Sequence, residues 1–188
     1  MAVLEIMKKR RSRPKLAGAA PSRQTVNALL EAAISAPDHG RLRPWQFIEV
    51  RDDARLQLGE IFLNAEKQDD AELTDAREAK IRSMPMRAPL ILIAVAKVVL
   101  EHKVPVIEQV VCTGAAVQNM LLVAQELGVG AMWRTGAMAY NPHVKTSLGL
   151  KPEDEIVGYL YLGEAQFEPK DREPLSVDDF LTVLPSIT

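Results

Sequence analysis

The sequence predicts an α+β fold: a central mixed sheet of about four or five strands with helices on both faces. Three observations carry that expectation. Within Leu90–Val98, Ile91, Ile93 and Val95 face one way and Leu92, Ala94 and Ala96 the other, so a strand there needs cover on both sides. Helical patterns outnumber strand patterns and do not alternate with them regularly, unlike a succession of βαβ units. The 188 residues suit one domain, and a chain of that size buries roughly 70% of its unfolded surface.

In order along the chain, Val3–Lys9 places Leu4, Ile6 and Met7 in a short helix that runs into a basic cluster. Pro14 and Pro21 bracket a loop. Ser22 caps a helix over Arg23–Ser35, in which Val26, Leu29, Leu30, Ala33 and Ile34 follow the i, i+3, i+4, i+7, i+8 pattern. Residues 36–44 form a loop rich in proline, glycine and charge. Trp45–Val50 has the aromatic and β-branched content of a strand. Asp52 or Asp53 caps the next helix, with Leu56, Ile61, Phe62 and Ala65 on one side. Residues 66–87 are charged and suggest a mobile surface excursion with a short helix near Ala76–Arg82; a lid and a solvated helix are both open there.

After the buried strand, Pro105 suits the first turn of a long helix that ends near Leu127 at Gly128. That helix is apolar nearly all round and carries Gly114-Ala115-Ala116. It is therefore expected to be fully buried and packed closely against another backbone. Val129–Trp133 is a short strand, Asn141-Pro142 starts a small helix that stops near Gly149, and Ile156–Leu162 is the last core strand. Beyond it, Leu175, Val177, Phe180 and Leu181 make the terminal segment too apolar for a free tail. It is expected to wrap a surface, a second subunit being one option.

Charge is balanced only in total, with 23 Lys+Arg against 25 Asp+Glu. Residues 8–15 hold six bases and no acid, so the remainder carries 17 bases against 25 acids. The cluster has three readings. A nucleic-acid patch is opposed by the acidic remainder. A solvated charge run is the usual meaning of such a stretch. A phosphate site makes chemical sense, because arginine offers bidentate hydrogen bonds and Ser12 adds a hydroxyl. The hydrophobic content of 47% excludes intrinsic disorder and leaves apolar surface for a partner. The longest apolar run, Ala88–Ala96, is far below the roughly 20 residues of a membrane span, so no membrane association is expected. The lone Cys112 excludes an internal disulfide framework and a cysteine zinc site, which suits a reducing, cytoplasmic setting.

Most catalytic signatures are absent. There is no P-loop and no G-x-S-x-G elbow, and Gly128-Val-Gly130 lacks the third glycine and the strand-to-helix context of a dinucleotide fingerprint. His39, His102 and His143 are scattered, so no metal site is expected. Cys112 lies mid-helix, where a thiol is usually inert packing. Two segments remain. The loop Ala36-Pro37-Asp38-His39-Gly40-Arg41-Leu42-Arg43-Pro44-Trp45 is either a binding loop or an ordinary helix-to-strand connection. Trp133-Arg134-Thr135-Gly136 offers a ring, a cation, a hydroxyl and a flexible glycine at a strand end, although Trp133 alone could be core.

Together these segments resemble the nitroreductase (flavin reductase) family, and its short YdjA-like branch in particular. The likeness runs in order through Arg10-Arg11-Ser12, Ala36-Pro37-Asp38-His39, Pro44-Trp45, Arg87-Ala88-Pro89, His102-Lys103-Val104-Pro105, Trp133–Gly136 and Ile156–Gly163. Each motif is weak alone, while their order and spacing are specific. The resemblance implies one FMN-binding domain over residues 1–188, an obligate homodimer with FMN at the interface, and NAD(P)H as co-substrate. By that resemblance Arg10, Arg11 and Ser12 hold the FMN phosphate and ribityl chain. His39 reaches the flavin from the partner subunit, and Trp133, Arg134, Thr135 and Gly136 line the ring. Lys170 and Arg172 are further phosphate contacts. The implied activity is reduction of nitro-compounds, quinones or similar small acceptors by a ping-pong mechanism, with the flavin rather than a side chain carrying the chemistry. A flavin-binding module without turnover, and dehalogenation or flavin fragmentation on the same fold, are the alternatives. Asp38, Arg41 and Arg43 stand where many relatives have Ser, Asn and Gln; the two arginines could recruit an anionic substrate or an NADPH phosphate, or sit in solvent.

Overall fold

Leu90–Ala96 forms the central strand, β3, and all seven of its residues are buried. The computed structural model describes residues 2–69, 72–169 and 173–184. On one face of β3, Ile91, Ile93 and Val95 pack with Phe62, Leu63 and Tyr159. On the other, Leu90, Leu92 and Ala94 pack with Val26, Leu29 and Met120. The two-sided burial read from the sequence is what the strand has. Each large aliphatic side chain withdrawn from water contributes about 1.5–3 kcal/mol, so both faces must be covered for the strand to persist.

The covering elements are these. Helix α1 (Val3–Lys9) leads into the two-residue strand β1 (Leu16–Ala17). Helix α2 (Arg23–Ile34) starts at Ser22, whose Oγ accepts a hydrogen bond from the Thr25 amide at 3.2 Å. It buries Val26, Leu29 and Ala33, whereas Ile34 faces outward. Strand β2 (Trp45–Arg51) follows the loop, then helix α3 (Ala54–Asp69). The buried face of α3 is Leu58, Phe62, Leu63 and Ala65; Leu56, expected on that face, is 55% exposed because a position two residues before Leu58 falls on roughly the opposite side of a helix with about 3.6 residues per turn.

The charged excursion contains helix α4 (Asp75–Arg82), capped by Thr74. It is not a loose flap. Arg77 pairs with Glu66, Lys67 Nζ lies 2.5 Å from Glu78, and Arg82 Nε lies 2.8 Å from Glu60. Ile81 is fully buried beneath them. Gly59 permits the approach of the two helices, because a Cβ there would overlap the Arg82 carbonyl. The charges that suggested a solvated, mobile segment are thus matched across an α3–α4 hairpin.

Helix α5 (Val106–Glu126) then crosses to strand β4 (Gly130–Arg134). Short helices α6 (Ala137–Tyr140) and α7 (Pro142–Ser147) lead to strand β5 (Glu155–Ala165). Asn141 caps α7 through bonds from His143 and Val144. Length and apolarity alone would let α5 cross a membrane, yet it packs Thr113, Ala116, Val117 and Met120 into the core. It is not fully buried as expected: Ile107 is 67% and Val111 58% exposed, along one unpartnered stripe. Nor does Gly114 meet a backbone; the atom nearest to where its Cβ would stand belongs to the Trp133 ring.

The sheet runs β1-β5-β3-β2, with β4 also paired to β5. All four pairings are antiparallel, which corrects the expected mixed sheet. Connection geometry supplies the reason. The α3–α4 hairpin goes out and back, so β3 begins where β2 ended and runs against it. Helix α5 makes a single crossover, so β3 and β4 point the same way. They are not neighbours, because β5 enters between them in the opposite sense.

Asp154 joins the start of β5 to the end of β3. Its buried carboxylate pairs with Lys97 and accepts the amides of Val98 at 3.2 Å and Lys151 at 2.9 Å. Burial alone would raise its pKa, but the Lys97 ammonium and the two amides outweigh that and hold it below the ordinary aspartate range. The contribution to stability is therefore full above about pH 4 and is lost as pH falls through the lower native value. Asp154→Asn is expected to cost about 1–3 kcal/mol in urea unfolding at neutral pH. The difference from the parent protein should shrink in acid, and a pH-independent difference would contradict this account.

Candidate functional site

Two cavities meet at Trp133, and the placement of that ring begins in β5. Pairing with β3 runs Ala94↔Gly158 and then Val95↔Ile156, which leaves Val157 as an extra residue. Such a bulge redirects groups beside it. The Val157 carbonyl accepts the Trp133 indole N–H at 3.2 Å. Gly158 supplies the space, because a Cβ there would overlap the indole. The ring is thus fixed by a bonded polar edge and a missing side chain.

The first cavity, of about 350 Å³, is lined by Arg10, Ser12, Gln118, Leu121, Trp133 and Thr135. A small neighbouring pocket of about 60 Å³ adds Arg11 and Arg13 beside Arg10. Of the basic cluster, Arg13 is occupied structurally. Its amide bonds the Ala131 carbonyl at 2.9 Å, and its guanidinium reaches Phe167 O at 3.0 Å and Glu168 at 3.2 Å. Lys15 lies over the Phe167 ring at 5.1 Å. Arg11 folds back on the Lys8 and Arg10 carbonyls, at 2.5 and 3.1 Å, while its Nε is buried without a partner. The cluster therefore divides into struts (Arg13, Lys15), residues that line the first cavity (Arg10, Ser12) and Arg11, which lines only the small pocket.

The second cavity, of about 520 Å³, lies on the other side of Trp133 and Thr135. Arg134 and Gly136 belong to it, with Met84 and Arg87 from the chain entering β3 and Arg77 from α4. The Arg134 guanidinium sits over the Tyr161 ring, 5.7 Å from its centroid. Burial pushes the Tyr161 hydroxyl above its ordinary range, and the charges of Arg87 and Arg134 oppose that rise.

His39 lines neither cavity. It lies on a 3-10 turn, His39–Arg41, with Nδ1 3.3 Å from Glu108 Oε2 and 3.8 Å from Cys112 Sγ on α5. Cys112 is buried, as its mid-helix position suggested. The Asp38 carboxylate accepts the Arg43 amide at 2.7 Å and braces a loop in which Gly40, Arg41 and Arg43 all have positive φ. Lys170 and Arg172 lie outside the described residues. One chain thus brings together Arg10, Ser12, Trp133 and Thr135, places Arg11 alongside, and joins Arg134 and Gly136 through the second cavity.

Gln118 and the methionines were not singled out in the sequence, and Arg87 entered only as part of the Arg87-Ala88-Pro89 stretch, without a site role. Gln118 left no distinct signal, because Gln109, Thr113, Asn119 and Gln125 are polar positions of the same helix. The motif gave Arg87 no role, because only folding carries it to the cavity that Arg134 lines. The Trp133 geometry predicts that Gly158→Ala, by overpacking, destabilises the protein by about 1–3 kcal/mol and alters the near-ultraviolet circular dichroism of the indole. An unchanged signal would show that the ring does not depend on that gap.

Comparison with known proteins identifies the family and the fold. A family model described as Nitroreductase family matches residues 7–164. The chain is 37% identical over 171 residues to YdjA, a candidate NAD(P)H nitroreductase of Escherichia coli K12, covering 89% of this chain and 91% of that one. Among solved structures, a nitroreductase-like family protein from Bacillus cereus superposes with a TM-score of 0.83 at 24% identity, over 98% and 96% of the two chains. A candidate nitroreductase from Desulfovibrio desulfuricans, solved in complex with FMN, gives 0.73 at 25% identity over 98% of each.

Proposed function

The chain belongs to the nitroreductase family, and from that premise we propose that it is one FMN-binding domain over residues 1–188 that oxidises NAD(P)H and reduces nitro-compounds, quinones or similar small acceptors. The observation that carries the cofactor assignment is the run of cation and hydroxyl donors along one wall. Arg10, Ser12, Trp133 and Thr135 line the first cavity, and two guanidinium Nε atoms are buried without acceptors, that of Arg11 in the small neighbouring pocket and that of Arg134 at the second cavity. A buried donor left unbonded costs about 1–3 kcal/mol, so acceptors brought by a ligand offset a penalty already present. A phosphate suits Arg10, Arg11 and Ser12, and a planar ring suits the face of Trp133 with Thr135, Arg134 and Gly136 at its polar edge. Lys170 and Arg172 complete the phosphate contacts in this proposal.

Bound FMN supplies the two-electron chemistry that no side chain here can, taking electrons from NAD(P)H and passing them to the acceptor in alternating half-reactions. The protein's part is binding, orientation and exclusion of water. Arg134, half-buried over Tyr161, would offer a fixed positive charge to a ring that gains electron density on reduction. Trp133, held by Val157, would offer it a flat apolar face.

The proposal includes a homodimer. Ile107 and Val111 expose one stripe of α5, and Leu175, Val177, Phe180, Leu181, Val183 and Leu184 are exposed in the terminal segment. A second copy is the partner that would cover both, through an apolar interface of more than about 2,000 Å². It also accounts for His39, which lines neither of the two cavities and in the dimer would face the flavin held by the partner. The buried thiol of Cys112 suits the reducing, cytoplasmic setting that goes with this assignment.

Purified protein is expected to be yellow and to bleach when NADH or NADPH is added anaerobically. A protein that stays colourless after incubation with FMN overturns the cofactor assignment, and a yellow protein that neither nucleotide bleaches overturns the activity. Arg10→Ala should weaken FMN by about 1.5–3 kcal/mol in a fluorescence titration. Val111→Glu should shift gel filtration from dimer to monomer and release flavin; a parent protein that elutes as an FMN-loaded monomer removes the dimer.

A further inference from the structure

The cavity between the α3–α4 hairpin and the segment after β4 carries two positive charges that no described residue neutralises. Three arginines line it. Arg77 is committed to Glu66, which accepts from both its Nε and its NH2. Arg87 meets no carboxylate among the described residues. Arg134 makes one long hydrogen bond, 3.4 Å to the Pro14 carbonyl, and its Nε is buried without a partner. Glu66 is the single acid of the lining and is already balanced by Arg77, so Arg87 and Arg134 remain uncompensated. Both line the same cavity, and the charges of both oppose the burial-driven rise of the Tyr161 hydroxyl.

The rest of the lining fits a flat, apolar body. Met84, Met132 and Met138 contribute thioether side chains, which adapt to and contact aromatic rings favourably. At about 520 Å³ the cavity has the volume of a small-ligand site. It shares Trp133 and Thr135 with the cavity given above to FMN, so whatever enters it lies next to the ring.

We propose that this compartment is the acceptor subsite, and that it selects aromatic electron acceptors bearing a carboxylate or similar anionic group, which Arg87 binds with Arg134 as second donor. The inference rests on the FMN assignment and adds to it the charge of the acceptor. Arg87 is the selecting residue, because Arg134 stands at the wall shared with the cofactor and serves both sides. The Arg77–Glu66 pair closes the outer wall of the subsite and adds no net charge.

The test compares para-nitrobenzoate with para-nitrobenzyl alcohol, which keep the same ring and nitro group and differ in charge. With FMN-loaded protein and NADH or NADPH as donor, kcat/KM should favour the benzoate. Arg87→Gln should reduce that preference by about tenfold, mainly through KM for the benzoate, as expected for losing a hydrogen-bonded charge. Arg87→Lys should recover part of it. No preference in the parent protein, or an equal loss on both acceptors in Arg87→Gln, overturns the proposal. The parent comparison decides the matter even if a variant fails to fold. Calorimetric titration of para-nitrobenzoate into the oxidised, FMN-loaded protein separates the two levels of inference. Binding weakened by Arg87→Gln supports the subsite even if neither nucleotide reduces the flavin, and no binding by the parent protein overturns it.

Discussion

Burying both faces of Leu90–Ala96 obliges the chain to supply helix on either side of one sheet, and the location of the site follows from that obligation. Helices α2 and α5 cover the face of Leu90, Leu92 and Ala94, and the α3–α4 hairpin lies on the side of Ile91, Ile93 and Val95. Strand β4 enters beside β5 between these layers and releases Trp133 and Arg134 where the layers separate. The two cavities occupy that separation. One is bounded by α5 and the N-terminal run, the other by the hairpin, and Trp133 forms their common wall.

Local departures from regularity give the wall its definition. The extra residue at Val157 interrupts the β3–β5 ladder, and the interruption turns a carbonyl toward the indole. Gly158 removes the one atom that would push the ring away. Neither feature strengthens the sheet: a bulge loses ladder pairing, and a strand glycine contributes no packing. Their use is positional.

Charge is apportioned in a similar way. The basic run that stands out in the sequence is partly structural, since Arg13 and Lys15 tie the N-terminal segment to the end of β5. The charged excursion at 66–87 is largely self-neutralising through pairs between α3 and α4. The cavities then gather Arg10 and Ser12 in one lining and Arg87 and Arg134 in the other. Exposed ion pairs contribute little to stability individually, so the hairpin depends mainly on Ile81 and the close approach at Gly59.

Several properties were determined by local sequence alone. The two-faced strand at Leu90–Ala96, the Ser22 and Asn141 caps and the end of α5 at Gly128 depend on neighbouring residues and backbone preference, so they were legible without tertiary contacts. The order of Arg10-Arg11-Ser12, the 36–45 loop and Trp133–Gly136 pointed to a family for the same reason, since order along the chain is itself sequence. Folding decided what depends on residues distant in the chain. The antiparallel sheet arose because β5 separates β3 from β4, and Leu56 turned outward because its helix phase is set by packing of Leu58 and Phe62. Helix α5 kept an exposed stripe because α2, α1 and the sheet pack against its other sides. Arg87 joined Arg134 in one cavity lining through contacts dozens of residues apart, where no local pattern records them.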